Sequence, residues 1–402
     1  MKARLSKVWQ VRGKSDLPFY CRPVALFLTI WFVMLWSFQM RIAVYSYPDL
    51  SLALGIFLAS IVSFWLGIVS EKLTRSYFKP PPGRATEYRV NLTRLRRVQR
   101  WLFAIATLIL LVNLAAYGLP PVFRVWGQET LNYVEYGKLK QILNAVTMTL
   151  FLSASLEPAK RRRYFTYAFS LCCMMAYATR GFLLVMLMQG LFVFSLRTNA
   201  RKRTLYWSAT ATLLIAAILS NMIGNSRAQI TSEGFAAYFG IRDAYASWPM
   251  ALLWIIAYIS TPFSNLCWII HSYRYTGPTL TFLGTLLPAF WSPVPLEAGY
   301  LGSPNIIDGV DTYIAKYFLD LSYFGIFFIN YIWGIISGFL ERGKRLAGNP
   351  LTSAVVLAAI AFIFFADFLT FLSIVMELAI LGFIQRYVMR WADLNATRNP
   401  VT

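Results

Sequence analysis

The chain reads Tyr177-Ala178-Thr179-Arg180-Gly181 inside an otherwise uncharged run from Tyr164 to Leu196. Basic clusters bracket that run, Arg161-Arg162-Arg163 before it and Arg197 with Arg201-Lys202-Arg203 after it. A single helix over it would rise about 50 Å at ~1.5 Å per residue, too long for the ~30 Å hydrocarbon core of a bilayer. Both basic flanks belong on the cytoplasmic side by the positive-inside rule. The run therefore reads as two membrane helices joined by a tight turn at Arg180-Gly181 on the outer face. Each helix would be only about 24 Å long, which sets Arg180 at the floor of a recess open to the outside. An arginine at membrane depth costs at least ~2.5–3.5 kcal/mol on insertion scales, and a bound anion is the obvious group to offset it.

Composition agrees with a membrane protein: 58% of the 402 residues are hydrophobic and 14% charged. The expectation is an all-α, polytopic integral membrane protein, one domain over 1–402. The first 22 residues are polar and basic. The run Pro23 to Tyr45 lacks a small-residue cleavage pattern and reads as a retained first helix. The net charge of +21 does not point to nucleic acid. Of the 38 Lys and Arg, 29 fall in segments assigned to the cytoplasm, and the remaining nine face eleven acidic residues elsewhere. The excess is thus positive-inside signal and attraction to anionic lipid. Cys21, Cys172, Cys173 and Cys267 show no metal spacing. With one His in the chain, no metal site and no cofactor are expected.

Taken in order, helices are expected near 24–44, 50–70, 101–117, 139–157, then the Arg180 pair, 204–222, 321–340, and two more in 351–385 with Asp367 at their outer turn. That makes ten, or twelve if the apolar pieces 249–271 and 279–292 form a membrane hairpin instead of lying on the outer leaflet. The first piece is broken by Ser260-Thr261-Pro262, the second by Gly284 and Pro288. Both termini fall on the cytoplasmic side. Residues 71–100 form a basic cytoplasmic loop, with Pro80-Pro81-Pro82-Gly83 as a linker and Arg94, Arg96, Arg97 and Arg100 lying on the inner leaflet. Gly118-Leu119-Pro120-Pro121 ends helix three, and the outer loop after it carries Arg124. Residues 223–320 form the large outer region.

Arg180, Arg227 and Arg242 fall on the outer side at helix ends or turns, Arg227 just past the end of its helix. Arginine stays charged and grips phosphate oxygens with two parallel donors, so the three suit an anionic ligand such as a lipid-linked pyrophosphate. The plainer reading pairs each with Asp243, Asp320 or Asp367 to fix the fold. Tyr238 and neighbouring aromatics suit sugar faces or an interfacial belt. Asn305, Asp308, Asp311, Thr312 and Asp320 read as hydroxyl binders, with a general base among them, or as an exposed polar loop. His271 reads as a proton carrier or an interfacial residue. Glu377, within the last helix, is a functional candidate by its position with no partner identifiable.

Four short stretches, Gly118-Leu119-Pro120, Thr179-Arg180-Gly181, Gly224-Asn225-Ser226-Arg227 and the segment from Asn305 and Thr312 through Asp320 to Tyr323-Phe324-Gly325, together resemble the Wzy-type O-antigen polymerases of bacterial inner membranes. The resemblance implies a membrane glycosyltransferase of GT-C-like fold that joins oligosaccharide repeat units carried on undecaprenyl pyrophosphate, and a chain-length regulator as partner. It matches Arg180 and Arg227 to the family's functional outer arginines, the catalytic pair. Arg242, Asp243, Tyr238, Asn305, Thr312, Asp320, Arg124 and His271 are the substrate-binding candidates. The alternatives are an O-antigen ligase, a transporter of lipid-linked sugars, and a membrane scaffold without chemistry.

Overall fold

The computed structural model describes residues 8–12, 19–43, 47–77, 87–118, 137–176, 180–197, 202–228, 240–273, 275, 277–278, 312–341 and 350–391. Most of these are helical. The helices are α1 (Pro23–Gln39), α2 (Leu50–Tyr77), α3 (Leu92–Tyr117), α4 (Gly137–Ala154), α5 (Lys160–Ala176), α6 (Arg180–Arg197) and α7 (Lys202–Ala228). They continue with α8 (Asp243–Ala246), α9 (Met250–Ser272), α10 (Ala315–Leu321), α11 (Tyr323–Leu340), α12 (Pro350–Ala361) and α13 (Leu372–Val388). Four stretches are long and apolar enough to cross a membrane: Leu50–Thr74, Leu92–Ala116, Met250–Ser272 and Tyr323–Leu340. Three shorter helices, Pro23–Gln39, Gly181–Arg197 and Pro350–Ala361, are also apolar.

The bundle has two distinct ends. At one, β1 (Val8–Arg12), β2 (Glu87–Asn91) and β3 (Met389–Trp391) form an antiparallel sheet in the order β1-β2-β3. This sheet departs from the expectation of helices alone, and it joins three segments read from sequence as lying on one side. Glu341, at the end of α11, accepts from the Val24 N–H at the start of α1 at 3.3 Å. Arg96 grips Glu157 through both guanidinium arms, at 2.7 and 2.9 Å. The described residues of the connection after α1, 40–43 and 47–49, lie at the other end with the connection 361–371 and helix α10.

The core is held by close helix contacts. A Cβ at Gly67 would lie 2.1 Å from the Tyr331 carbonyl oxygen, and one at Gly334 2.1 Å from that of Phe64. The backbones of α2 and α11 therefore touch. Helix α12 is buried at eleven of its twelve positions, as befits a helix apolar all round.

The run 164–196 is divided into two helices as the charge pattern and length required, but α5 ends at Ala176 and α6 starts at Arg180, so Arg180 and Gly181 open a helix where the sequence placed the turn. Several boundaries differ from the expectations. Helix α3 begins at Leu92, where Asn91 caps it by accepting from the Arg94 N–H at 3.1 Å. Arg94, Arg96, Arg97 and Arg100 thus belong to its first turns and not to a separate segment lying on the membrane. It ends at Gly118, whose φ of 77° no side chain favours. Helix α7 continues to Ala228, so Arg227 lies in its last turn and not beyond it.

Helix α9 runs unbroken through Pro262. Its first turns, at Leu253 and Ile256, pack in one cluster with Ile42. Near its other end Trp268 and His271 meet Tyr47, with ring centroids 5.2 and 5.8 Å apart. Both ends of α9 thus meet the same connection between α1 and α2. The helix therefore runs along that end of the bundle. Residues 279–292 lie outside the described residues.

Candidate functional site

At the end of the bundle opposite the sheet, two buried segments come together. One is Thr312 to Leu321, read from sequence as part of a polar loop. It instead folds as a turn and the short helix α10, with Thr312, Tyr313, Tyr317 and Asp320 buried. The physical reason is its apolar stripe, Tyr313, Ile314, Tyr317 and Phe318 at helical spacing. The other is the connection 361–371 between α12 and α13. The Tyr313 N–H joins them by donating to the Ile363 carbonyl at 3.2 Å.

Asp367 is the centre of this junction. Its Oδ2 accepts from the Tyr317 hydroxyl at 2.6 Å and lies 3.4 Å from the Lys316 ammonium. Lys316 also donates to the Thr370 hydroxyl. Burial pushes the Lys316 amine below its ordinary value, and the carboxylates of Asp367 and Asp320 oppose that shift. Burial, then the Asp367 charge, pushes the Tyr317 phenol up. Tyr317 therefore serves Asp367 as a donor. Asp367 Oδ1 and the Thr312 hydroxyl are buried without a hydrogen-bond partner. A carboxylate with one arm held and one arm free is able to accept a further hydroxyl proton or hydrogen bond. Below the junction, Tyr313 donates to Asn330, which in turn donates to the Ser60 hydroxyl at 3.1 Å.

The start of α6 is seated on this connection. A Cβ at Gly181 would lie 3.9 Å from the Phe365 ring. The Phe182 ring meets those of Phe368 and Phe371 at 6.0 Å each. Tyr258 of α9 packs on Phe365 at 5.9 Å. The backbone of Arg180 is thereby brought beside the connection that carries Asp367.

Arg180 begins α6 and Arg227 lies in the last turn of α7, but their side chains are not among those described. Arg124, Tyr238, Asn305, Asp308 and Asp311 lie outside the described residues. Thr312 and Asp320 belong to the junction itself. Arg242 and Asp243 are exposed and sit elsewhere. The Arg242 N–H donates to the Ile42 carbonyl at 2.9 Å, tying α8 to the end of α1. His271 is exposed beside Tyr47.

Lys316 and Tyr317 were missed by sequence reasoning. The available signal was a lone lysine four residues before Asp320 within an apolar stripe. No family model, curated protein or solved structure matches the chain.

Proposed function

We propose that the chain is a polytopic enzyme of the bacterial inner membrane that polymerises oligosaccharide repeat units carried on undecaprenyl pyrophosphate. The observation that carries this reading is the convergence at one end of the bundle. The helix start bearing Arg180 is seated on the connection that carries Asp367 and Thr370, with Lys316, Tyr317 and Thr312 beside it. This gathers a cation, Lys316, and the unpartnered acceptor oxygen of Asp367 beside the helix start that bears Arg180, which supports a site for a pyrophosphate and a sugar hydroxyl.

In this mechanism the donor pyrophosphate is held by Arg180 and Arg227, with Lys316 as a third cation. Charge that builds on the leaving group is stabilised by these fixed cations. The acceptor hydroxyl oxygen bonds to the donor's anomeric carbon, and the carbon–oxygen bond to pyrophosphate breaks, its electron pair leaving with undecaprenyl pyrophosphate. The hydroxyl proton passes to the unpartnered oxygen of Asp367. Substitution in one step inverts the anomeric carbon, and no metal or other cofactor is required. In this reading the ten helices of the described residues that run between the two ends of the bundle span the membrane, and the sheet end faces the cytoplasm. A chain-length regulator and the surrounding anionic lipid are the partners this reading calls for.

The test uses purified protein and a synthetic undecaprenyl-pyrophosphate repeat unit without divalent metal. A ladder of products spaced by one repeat unit is expected, lost in Arg180→Ala and reduced at least ~100-fold in Asp367→Asn. Transfer of a single unit only, and only once lipid A core is added, would replace polymerase with ligase. Movement of labelled lipid across proteoliposome leaflets with no product would replace both with a transporter.

A further inference from the structure

Helices α6 and α13 are joined by a polar contact that the chemistry proposed above does not use. The Gln189 side-chain amide donates from Nε2 to Glu377 Oε2 at 3.0 Å, and both residues are 0% exposed. Each group has one oxygen left over. Glu377 Oε1 and Gln189 Oε1 are both buried and both without a hydrogen-bond partner. An ionised carboxylate only accepts, and so does an amide oxygen, so neither leftover arm can serve the other while Glu377 is charged. Turning the amide over exchanges its arms and leaves the same mismatch.

Among the described residues, no side chain neutralises the carboxyl. Helix α12, packed against both α6 and α13, carries no titratable residue, and neither does the turn Phe368–Thr370. On α4, Lys140 sits in the first turn, and among the described residues Glu377 forms no ion pair. On α3, Arg94 donates to the Tyr387 carbonyl and Arg96 is held by Glu157. A buried charge without a counter-charge takes up or releases a proton instead of staying ionised. A proton on Oε1 turns one of the two leftover acceptors into a donor. When the carboxyl and amide planes align, that donor meets Gln189 Oε1 and closes a ring of two hydrogen bonds.

We infer that Glu377 is held as the neutral acid and that its proton is shared with Gln189, a proton-binding site inside the bundle that ties α6 to α13. Neither the geometry nor the test depends on the polymerase reading. The site lies nine residues into α6 from Arg180 and five into α13 from Leu372. The proton therefore fixes the depth and rotation of the helix that presents Arg180.

Infrared difference spectroscopy on the purified full chain at neutral pH tests this. Wild type minus Glu377→Gln is expected to show the carbonyl band of a protonated carboxylic acid, displaced in heavy water. Gln189→Leu keeps the acid but removes its partner, so the same band is expected at higher frequency. Should Glu377→Gln fail to fold, wild type minus Gln189→Leu still reports the band through that displacement. Carboxylate bands in these differences, with no neutral-acid band, would overturn the inference.

Discussion

Lys316 and Asp367 are each other's condition for being buried. Asp367 is nearly inaccessible, its side chain 2% exposed, whereas Lys316 keeps 19%. Removing one partner of such a pair leaves the other's charge facing a poorly hydrated surround, which costs more than losing the pair as a whole. Asp367→Asn is therefore expected to destabilise the fold by about 2–4 kcal/mol. Adding Lys316→Met to it should recover part of that loss, because the stranded ammonium goes too. Thermal melts of the two single variants and the double variant form a cycle that measures the coupling. A loss in the double variant equal to the sum of the two single losses would show that the pair contributes no coupling. This pair also marks where reading the sequence stopped. Asp367 was placed at a turn because it interrupts an apolar run, a local signal. Lys316 lies 51 residues earlier, with nothing local to name its carboxylate. The pairing depends on how α10 folds against the connection 361–371.

At the scale of elements, the Arg180 hairpin was legible because charge and length together allow only one path. The sheet was not, since β1, β2 and β3 come from segments far apart in the chain and each is too short to show alternation. The run 312–321 was misread because polar residues flank its apolar stripe, and composition outweighed spacing. Two further predictions belong here. Gly67→Ala or Gly334→Ala drives a methyl into a carbonyl of the facing helix, so α2 and α11 must separate at a cost of at least ~2 kcal/mol. Gly55→Ala, on the same α2 with open space around it, is expected to gain ~0.5–1 kcal/mol through lower chain entropy. Melting temperatures should move in opposite directions. At the sheet end, the Arg96 guanidinium holds the Glu157 carboxyl below its usual range. A carboxyl depressed in the folded state binds fewer protons there than in the unfolded chain. Its contribution is present above the ordinary value of ~4.3 and fades as pH falls through the folded value. With Arg96 about one-third exposed, the contribution at neutral pH is about 1–2 kcal/mol. The melting difference between wild type and Glu157→Gln should shrink steadily as pH is lowered below ~4.

The whole molecule separates its polar chemistry into two ends, and the placement of α9 decides whether that separation is real. By length and hydropathy α9 qualifies as a membrane span, yet both its ends meet the connection between α1 and α2. Composition alone could not choose between these, because a helix buried under protein and one buried in lipid are both apolar. Contacts can choose, since a crossing helix would have to reach the sheet end. Ser247, just before α9, and His271, in its last turn, are exposed, as is Arg162 near the start of α5 at the sheet end. In a background with the four native cysteines replaced by alanine, Ser247→Cys and His271→Cys are both expected to react with a membrane-impermeant maleimide from outside intact spheroplasts. Arg162→Cys should react only after permeabilisation. Labelling of Ser247→Cys and His271→Cys from opposite sides would make α9 a crossing helix. Unless 279–292 returned the chain as the second arm of a hairpin, the residues from 312 onward would then lie on the far side from the start of α6, and the junction between Asp367 and the Arg180 helix could not form. A shared side leaves α9 as a cover along the outer end, with Tyr258 resting on Phe365 and the proposed pyrophosphate site beneath it.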